Sequence, residues 1–214
     1  TSHSCALLSD GTIKCWGDSS YGRLGDGSAS TSVRTTPVTV SGITNATAIS
    51  ASGTDTWSSH TCAIVDQGSV KCWGHDSYGQ LGSGSKNAQG YSATPVSVDG
   101  INTATEISAG GEHTCALLAD KTIKCWGNDQ YGQLGSGSKN TETYTQNNQS
   151  YTQNASYKPV SVSGINTAIA VSAGANHTCA LLENKTVKCW GDNQSGQFGD
   201  GLGASSLTPK LTLF

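Results

Sequence analysis

The sequence predicts an all-β fold, a β-propeller whose blades are each built from four short antiparallel strands. One motif, made of His-x-Cys-Ala, a short apolar run, Lys-Cys-Trp-Gly and a glycine-rich end, occurs four times in the 214 residues. A long motif that returns along the whole chain is typical of repeat arrays and propellers. The segments between its turns are short and show no helical periodicity, which indicates strands. The four copies lie at 3–27, 60–84, 113–137 and 177–201.

The third copy and the residues before it give the order of elements in one unit. A first strand opens at Pro95, where a strand tolerates a missing backbone N–H. An Asp-Gly turn at 99–100 leads to the second strand, and a tight connection at 119–121 joins the third and fourth strands as a hairpin. Glycine-rich turns follow at 127–137. The four predicted strands cover 95–98, 104–109, 113–118 and 122–126.

These units divide the chain into repeats of one propeller. We expect residues 1–214 to form a single, partial β-propeller, with repeats at approximately 1–36, 37–94, 95–158 and 159–208, and with 209–214 starting a further blade. The first unit lacks its two opening strands, and open ends would expose edges that can pair. We therefore expect a longer parent chain with further blades. The alternative is a small ring, or an assembly in which neighbouring chains complete the blades.

The eight cysteines form four pairs, and the members of each pair stand ten residues apart. With a three-residue hairpin loop, Cys5 would face Cys15, and opposed residues on antiparallel strands lie about 4.5–5.5 Å apart. Strict pairing within disulfide reach favours disulfides in an oxidising compartment. Free, buried thiols in a reducing cell are the alternative, and the spacing does not suit zinc. The predicted pairs are Cys5–Cys15, Cys62–Cys72, Cys115–Cys125 and Cys179–Cys189.

The repeated motif resembles that of the regulator of chromosome condensation repeat family, in its cysteine-containing secreted form. The resemblance is carried by His-Thr-Cys-Ala-Leu-Leu at 113–118, Thr-Ile-Lys-Cys-Trp-Gly at 122–127 and Tyr-Gly-Gln-Leu-Gly-Ser-Gly at 131–137, and it spans almost the whole chain. It implies a seven-bladed propeller, of which this chain would be a portion. The founding member's nucleotide-exchange activity depends on particular loops and a basic surface, and the sequence matches neither. Fold alone does not imply that function.

Composition argues against several partners. Only 13% of the residues are charged and the net charge is −3, so we expect no basic face and no nucleic-acid partner. The apolar runs are too short for a membrane span, so we expect no direct membrane insertion.

The repeated polar residues have structural explanations. His3, His60, His113 and His177 each stand at a strand start, so we interpret them as anchors of backbone groups rather than as catalysts or metal ligands. The glycine-rich runs precede no helix and therefore do not fit phosphate loops. The Asp and Asn residues after the Trp-Gly pairs do not follow a calcium-loop spacing. We expect no catalytic residue, no bound metal and no cofactor.

Contact residues are sought where the repeats differ, because binding usually lies in loops on a rigid scaffold. An insertion at 54–59 carries Trp57, which either anchors a partner or folds back on its own blade. A longer insertion at 138–158 carries Tyr144, Tyr151 and Tyr157 among small polar residues, a composition typical of recognition surfaces. It could also be a mobile solvated loop, or a β-hairpin that pairs with a neighbour. The glycosylation candidates in it are Asn148 and Asn154.

We therefore predict a secreted or cell-surface β-propeller that acts without catalysis as a binding, adhesion or structural module of an extracellular assembly. Its partners would be a protein or glycan ligand, or neighbouring copies. One alternative is an inhibitor-like protein that binds an enzyme through one propeller face. Another is a guanine-nucleotide exchange factor-like regulator, against which the paired cysteines and the missing basic face both argue.

Overall fold

The chain forms a succession of antiparallel sheets in the computed structural model, which describes residues 3–52 and 58–213. The first sheet contains β1 (His3–Leu7), β2 (Ile13–Asp18) and β3 (Val33–Thr39). The second contains β4 (Ala48–Ala51), β5 (His60–Val65), β6 (Ser69–His75) and β7 (Tyr91–Ser97). A single 3-10 turn, Ser20–Gly22, follows β2.

The third sheet contains β8 (Ala104–Ala109), β9 (His113–Leu118), β10 (Ile123–Asn128) and β13 (Ala155–Ser161). The fourth contains β14 (Ala168–Ala173), β15 (His177–Leu182), β16 (Val187–Gly191) and β17 (Ser206–Leu211). Two further strands, β11 (Glu142–Gln146) and β12 (Gln149–Gln153), form a separate hairpin. The all-β prediction, with blades of four antiparallel strands, is confirmed. Within the described residues, no helix is long and apolar enough to cross a membrane.

One strand of each unit lies in a different sheet from the one expected. The strand that contains Pro95 is β7, which pairs with β6 and closes the second sheet instead of opening the third. The strand that contains Pro209 is likewise β17, which pairs with β16 and closes the fourth sheet, whereas we had expected a further blade to start there. An outer strand suits proline, because the missing N–H then faces away from the ladder. The boundaries of the sequence repeats are therefore offset by one strand from the boundaries of the sheets.

The Trp-Gly pair of each motif produces an irregularity in its strand. The pairing of β6 with β7 shifts register between Cys72 and Gly74, and the other three sheets shift at the same place. Gly74 has φ 104°, and a Cβ there would lie 2.9 Å from the His60 Cα. Glycine is therefore required, because only it combines this conformation with so close a backbone approach.

The hydrophobic core lies between neighbouring sheets. Ile64 and Val70 of the second sheet share one buried cluster with Ile107 and Trp126 of the third. Each junction also has a tryptophan hydrogen bond to the preceding motif: Trp73 Nε1 donates to the Arg23 carbonyl (3.1 Å), Trp126 Nε1 to that of Gln80 (2.9 Å) and Trp190 Nε1 to that of Gln133 (2.9 Å). The tryptophans therefore pack between blades, as interpreted from the sequence.

Three of the four repeated histidines contact a side chain of the next sheet, where the sequence had led us to expect a backbone group. The rings of His3, His60 and His113 each begin a strand and point across the junction, so Nε2 lies against a threonine. The distances from Nε2 to Oγ1 are 2.7 Å for His3–Thr61, 2.7 Å for His60–Thr114 and 2.8 Å for His113–Thr178.

All eight cysteines are joined in disulfides within single hairpins, in the four predicted pairs. Cys5 stands opposite Cys15 in the ladder of β1 and β2, with the two Cα atoms 4.1 Å apart. The loop between these strands has the predicted length, since the Leu8 N–H donates to the Thr12 carbonyl (2.9 Å).

Candidate functional site

The long insertion at 138–158 forms a regular hairpin in place of a solvated loop. Strands β11 and β12 pair through five residues each, from Glu142 opposite Gln153 to Gln146 opposite Gln149. Asn147 and Asn148 make the connection, with φ of 51° and 59°. Two positive φ angles in a two-residue loop define a type I′ turn, which matches the twist of the strands and suits asparagine.

The two tyrosines of the repeated Tyr-Thr-Gln-Asn sequence meet across this hairpin. Tyr144 stands directly opposite Tyr151, and their rings are stacked with centroids 5.6 Å apart. The Nζ of Lys86 lies 3.4 Å from the centroid of the Tyr144 ring, a cation–π contact. Burial lowers the pKa of Lys86, and the charge of Asp76 partly offsets that effect. This contact connects the hairpin to the second sheet, because Lys86 lies in the loop between β6 and β7.

A groove of about 610 Å³ lies between the hairpin and the loop at 84–90. One wall is that loop and the other is the 142–146 strand, with Ser77 and Tyr157 completing the lining. The side chains that line the groove are amides, hydroxyls, a lysine, a carboxylate and the rings of Tyr144 and Tyr157. Its size falls in the usual range of small-ligand sites, about 300–1,000 Å³.

The predicted contact residue Tyr157 is buried, with 6% of its surface exposed. Its phenol oxygen accepts a hydrogen bond from Gln153 Nε2 (3.1 Å), and its ring lies against Gly79, where a Cβ would come within 2.4 Å of it. Burial, helped by the nearby charge of Glu142, raises the pKa of Tyr157 to about 12. Tyr157 therefore contributes to the groove as a buried side chain, whereas Tyr144 is half-buried and Tyr151 is exposed.

A buried carboxylate that the sequence reasoning missed shapes the groove loop. Asp76 is 1% exposed, and it accepts backbone hydrogen bonds from Leu81 N (3.1 Å) and Asn87 N (3.2 Å). Burial raises its pKa to about 6. Asp129 has the same role in the next unit, accepting from Leu134 N (3.2 Å) and Asn140 N (2.8 Å). The available signal was the place of the aspartate, two residues after the Trp-Gly pair in the second and third copies of the motif; Ser19 and Asn193 stand there in the other two.

The remaining predicted residues are spread over different places. Trp57 lies outside the described residues. Asn148 is exposed in the hairpin turn, whereas Asn154 is half-buried after β12, with its carbonyl accepting from Asp129 N (2.8 Å). Among residues 3–52 and 58–213, no three or more His, Cys, Asp and Glu side chains are grouped to hold a metal ion.

Repeated sheets that are joined at every junction by the same tryptophan and histidine contacts define the class of protein, a repeat β-propeller. Two family models, each described as the regulator of chromosome condensation (RCC1) repeat, match this chain. One matches residues 1–23, 104–133 and 168–197, and the other matches 67–117 and 125–181. The chain belongs to the regulator of chromosome condensation repeat family.

Relatives of known name match along the whole chain. It is 30% identical over 99% of its length to the E3 ubiquitin-protein ligase HERC2 of Homo sapiens, of which it covers 4%. It is 28% identical over 98% of its length to the ultraviolet-B receptor UVR8 of Arabidopsis thaliana, of which it covers 43%. The chain therefore spans less than half the length of either relative.

Solved structures agree on the fold. Prp20p from Saccharomyces cerevisiae, in a structure whose description names its binding to Gsp1p and histones, is similar with a TM-score of 0.81 and 19% identity, over 100% of this chain and 49% of that one. Human WBSCR16 is similar with a TM-score of 0.78 and 20% identity, over 98% of this chain and 49% of that one. At these identities the likeness shows the fold alone.

Proposed function

We propose that this chain belongs to a secreted or cell-surface propeller that binds partners without catalysis and serves as a binding, adhesion or structural module of an extracellular assembly. The observation that carries the proposal is the polar groove between residues 84–90 and 142–146, which lies beside tyrosines. The blades that hold this groove each contain a disulfide that links two neighbouring strands.

The cysteines support the extracellular compartment. Four disulfides that use every cysteine are typical of secreted and surface proteins, because reducing systems keep cytosolic thiols free. Each disulfide lies inside one hairpin and closes a short loop. It therefore reduces the conformational freedom of the unfolded chain and stabilises the folded blade. A scaffold of this kind keeps a groove in shape outside the cell.

The ligand would be a protein segment or a glycan. The groove is lined by amide, hydroxyl and carboxylate groups beside two tyrosine rings, a mixture that can hydrogen-bond to either class of ligand. Tyrosine supplies a large contact area at little conformational cost, which suits it to recognition. Asn148 and Asn154 would carry glycans if the source glycosylates, and a glycan on Asn148 would stand at the hairpin tip, beyond the groove.

The other two functions that we considered from the sequence gain no specific support. Prp20p, with its named binding to Gsp1p and histones, shares the fold with this chain, but fold is not a warrant for that activity. An inhibitor-like role would need a partner enzyme that fits one propeller face.

Binding of the disulfide-intact protein to a glycan array and to a panel of extracellular proteins tests the proposal. Residues 81–87 and 134–140 have the same sequence, Leu-Gly-Ser-Gly-Ser-Lys-Asn, so the chain offers a matched pair of variants. Lys86→Ala removes a groove side chain, whereas Lys139→Ala changes the equivalent lysine, whose Nζ donates to the Gln130 carbonyl (2.7 Å) away from the groove. We expect Lys86→Ala and Tyr144→Ala to abolish binding and Lys139→Ala to retain it. Binding that survives both groove changes would refute the proposed site.

A further inference from the structure

The outer edge of the tyrosine hairpin is an unpaired strand. Among the described residues, β12 forms ladder hydrogen bonds with β11 alone, and the two make a sheet of two strands. Residues 149–152 are all exposed, and 41% of the surface of Tyr151 is open. An exposed strand edge is a template for pairing with another chain.

The turn decides which backbone groups of β12 face outward. In a hairpin with a two-residue loop, the pair beside the loop is hydrogen-bonded, and such pairs then alternate along the ladder. Gln146–Gln149 and Tyr144–Tyr151 are therefore hydrogen-bonded pairs, while Thr145–Ser150 and Thr143–Thr152 are not. The N–H and C=O groups of Ser150 and Thr152 consequently point away from β11, toward the open side.

This edge lacks the features that usually protect one. Residues 141–154 contain no proline, no lysine and no glycine, and Glu142, on the inner strand, is their only charged side chain. Proteins commonly block free edges with lysine, proline, a bulge or inward-facing charges. The ladder of β11 and β12 has no register shift either.

The sequence of β12 is symmetrical about its central tyrosine. On both sides of Tyr151 stands a small hydroxyl residue, Ser150 or Thr152, followed by a glutamine, Gln149 or Gln153. An antiparallel copy centred on Tyr151 would therefore place Ser150 opposite Thr152 of that copy and Gln149 opposite its Gln153. The outward-facing groups of Ser150 and Thr152 are the ones that such a pairing requires.

We propose that β12 is a self-association site, at which the β12 strands of two copies of this chain pair antiparallel about a two-fold axis at Tyr151. The two hairpins would form one four-stranded sheet, and the Tyr144–Tyr151 stack would continue across the axis into the stack of the second copy. The interface is isologous and closed, so it yields a dimer rather than a filament.

The proposed self-association rests on the proposed role in an extracellular assembly. It uses the edge of β12 instead of the groove, so an experiment can refute the self-association without refuting the binding site, and the reverse. The paired edge is only five residues long, and small interfaces of this kind are weak and depend on concentration. The contact would therefore act between copies held close together on one surface or in one assembly.

The two-fold axis provides a direct test, because one residue meets its own copy there. In the proposed pairing Tyr151 forms a non-hydrogen-bonded pair with itself, with Cα atoms about 4.5 Å apart, within disulfide reach. Tyr151→Cys should therefore form an intermolecular disulfide under mild oxidation. Asn148→Cys, exposed at the tip of the same hairpin, is the matched control for random collision.

We expect Tyr151→Cys to cross-link at least about tenfold faster than Asn148→Cys, because prior pairing raises the effective concentration. Intact mass and peptide mapping would verify that the four native disulfides are retained. Equal rates for the two variants would overturn the proposal.

Sedimentation of the protein without added cysteines gives a second, independent readout. Thr152→Pro removes an outward N–H of β12 but no backbone hydrogen bond to β11, and Thr145→Pro makes the same backbone change on the inner strand. We expect the unmodified protein and Thr145→Pro to associate as concentration rises, and Thr152→Pro to stay monomeric. Association that Thr152→Pro leaves unchanged, or no association of the unmodified protein, would contradict the proposed contact.

Discussion

His60 and Thr114 join the second and third sheets through a hydrogen-bond chain. His60 Nε2 lies 2.7 Å from the Thr114 hydroxyl, which donates to the Gln80 carbonyl at 2.9 Å. Since that hydroxyl uses its proton on Gln80, we assign His60 Nε2 as the donor, which corresponds to the neutral Nε2–H tautomer. The same Gln80 carbonyl accepts from Trp126 Nε1 at 2.9 Å. His, Thr and Trp of the motif thus act together at the junction.

Removing the hydroxyl from this chain of hydrogen bonds should destabilise the fold. Thr114→Val leaves the buried Nε2–H of His60 without its acceptor, and we expect the free energy of unfolding to fall by about 1–3 kcal/mol. Thr105→Val is the control, since Thr105 is exposed on β8 and should change stability little. Denaturant unfolding with the disulfides intact measures both. An equal effect of the two variants would show that the buried hydroxyl contributes nothing specific.

The buried histidines should make the protein sensitive to acid. Burial lowers the pKa of His60 and of His113 to about 3, from an ordinary value of 6.5. Because the folded state holds these rings neutral, the unfolded state binds more protons below pH 6.5. The stability that the two neutral histidines contribute to the folded state is therefore complete above pH 6.5 and is lost progressively as the pH falls toward 3.

The effect of pH on stability through Asp76 has the opposite sign. Burial raises the pKa of Asp76 in the folded state to about 6 from 3.8, so the stability that this residue contributes is lost as the pH rises through that range. The test therefore compares the unmodified protein with a double variant, His60→Gln and His113→Gln, in which Asp76 is unchanged. We expect the stability of the double variant to fall less between pH 6.5 and pH 4. Parallel curves for the two proteins would contradict the assignment.

The glycine that packs against each junction tryptophan, such as Gly82 against Trp126, should not tolerate substitution by alanine. A Cβ on Gly82 would lie 2.6 Å from Trp126 Nε1, and the residue has φ 70°. Gly100 has a similar φ of 65°, but a Cβ there would meet nothing within 4 Å. Gly100→Ala therefore reports the backbone strain alone. We expect Gly82→Ala to lose about 1–3 kcal/mol more than Gly100→Ala in the free energy of unfolding, through overpacking. Equal losses would mean that the tryptophan can move aside.

Local features of this fold were predictable from the sequence. The register that brings Cys5 opposite Cys15 follows from a three-residue loop and the two-residue period of strands. The packing role of Trp126 followed from its recurrence at one motif position. Neighbour relations were harder: nothing in the residues around Pro95 states which sheet their strand joins, and the two candidate sheets differ only in tertiary contacts.

The site was predicted less completely than the fold. The partner of His60 is 54 residues away, so no local pattern identifies it. The insertion at 138–158 was recognised as distinctive, but its polar composition did not separate hairpin from loop; Asn147-Asn148 was the available turn signal. Tyr157 is buried because it belongs to β13 of the third sheet, whereas Tyr144 and Tyr151 belong to the hairpin.

The four disulfides matter most, because both the hardened blades and the proposed extracellular role depend on them. Intact-mass analysis of the native, unreduced protein, with alkylation before and after reduction, tests them directly. We expect no thiol to react before reduction, and peptide maps to link Cys5 to Cys15 and each of the other three pairs likewise. Alkylation of all eight cysteines in the native protein would contradict this expectation and would favour an intracellular role.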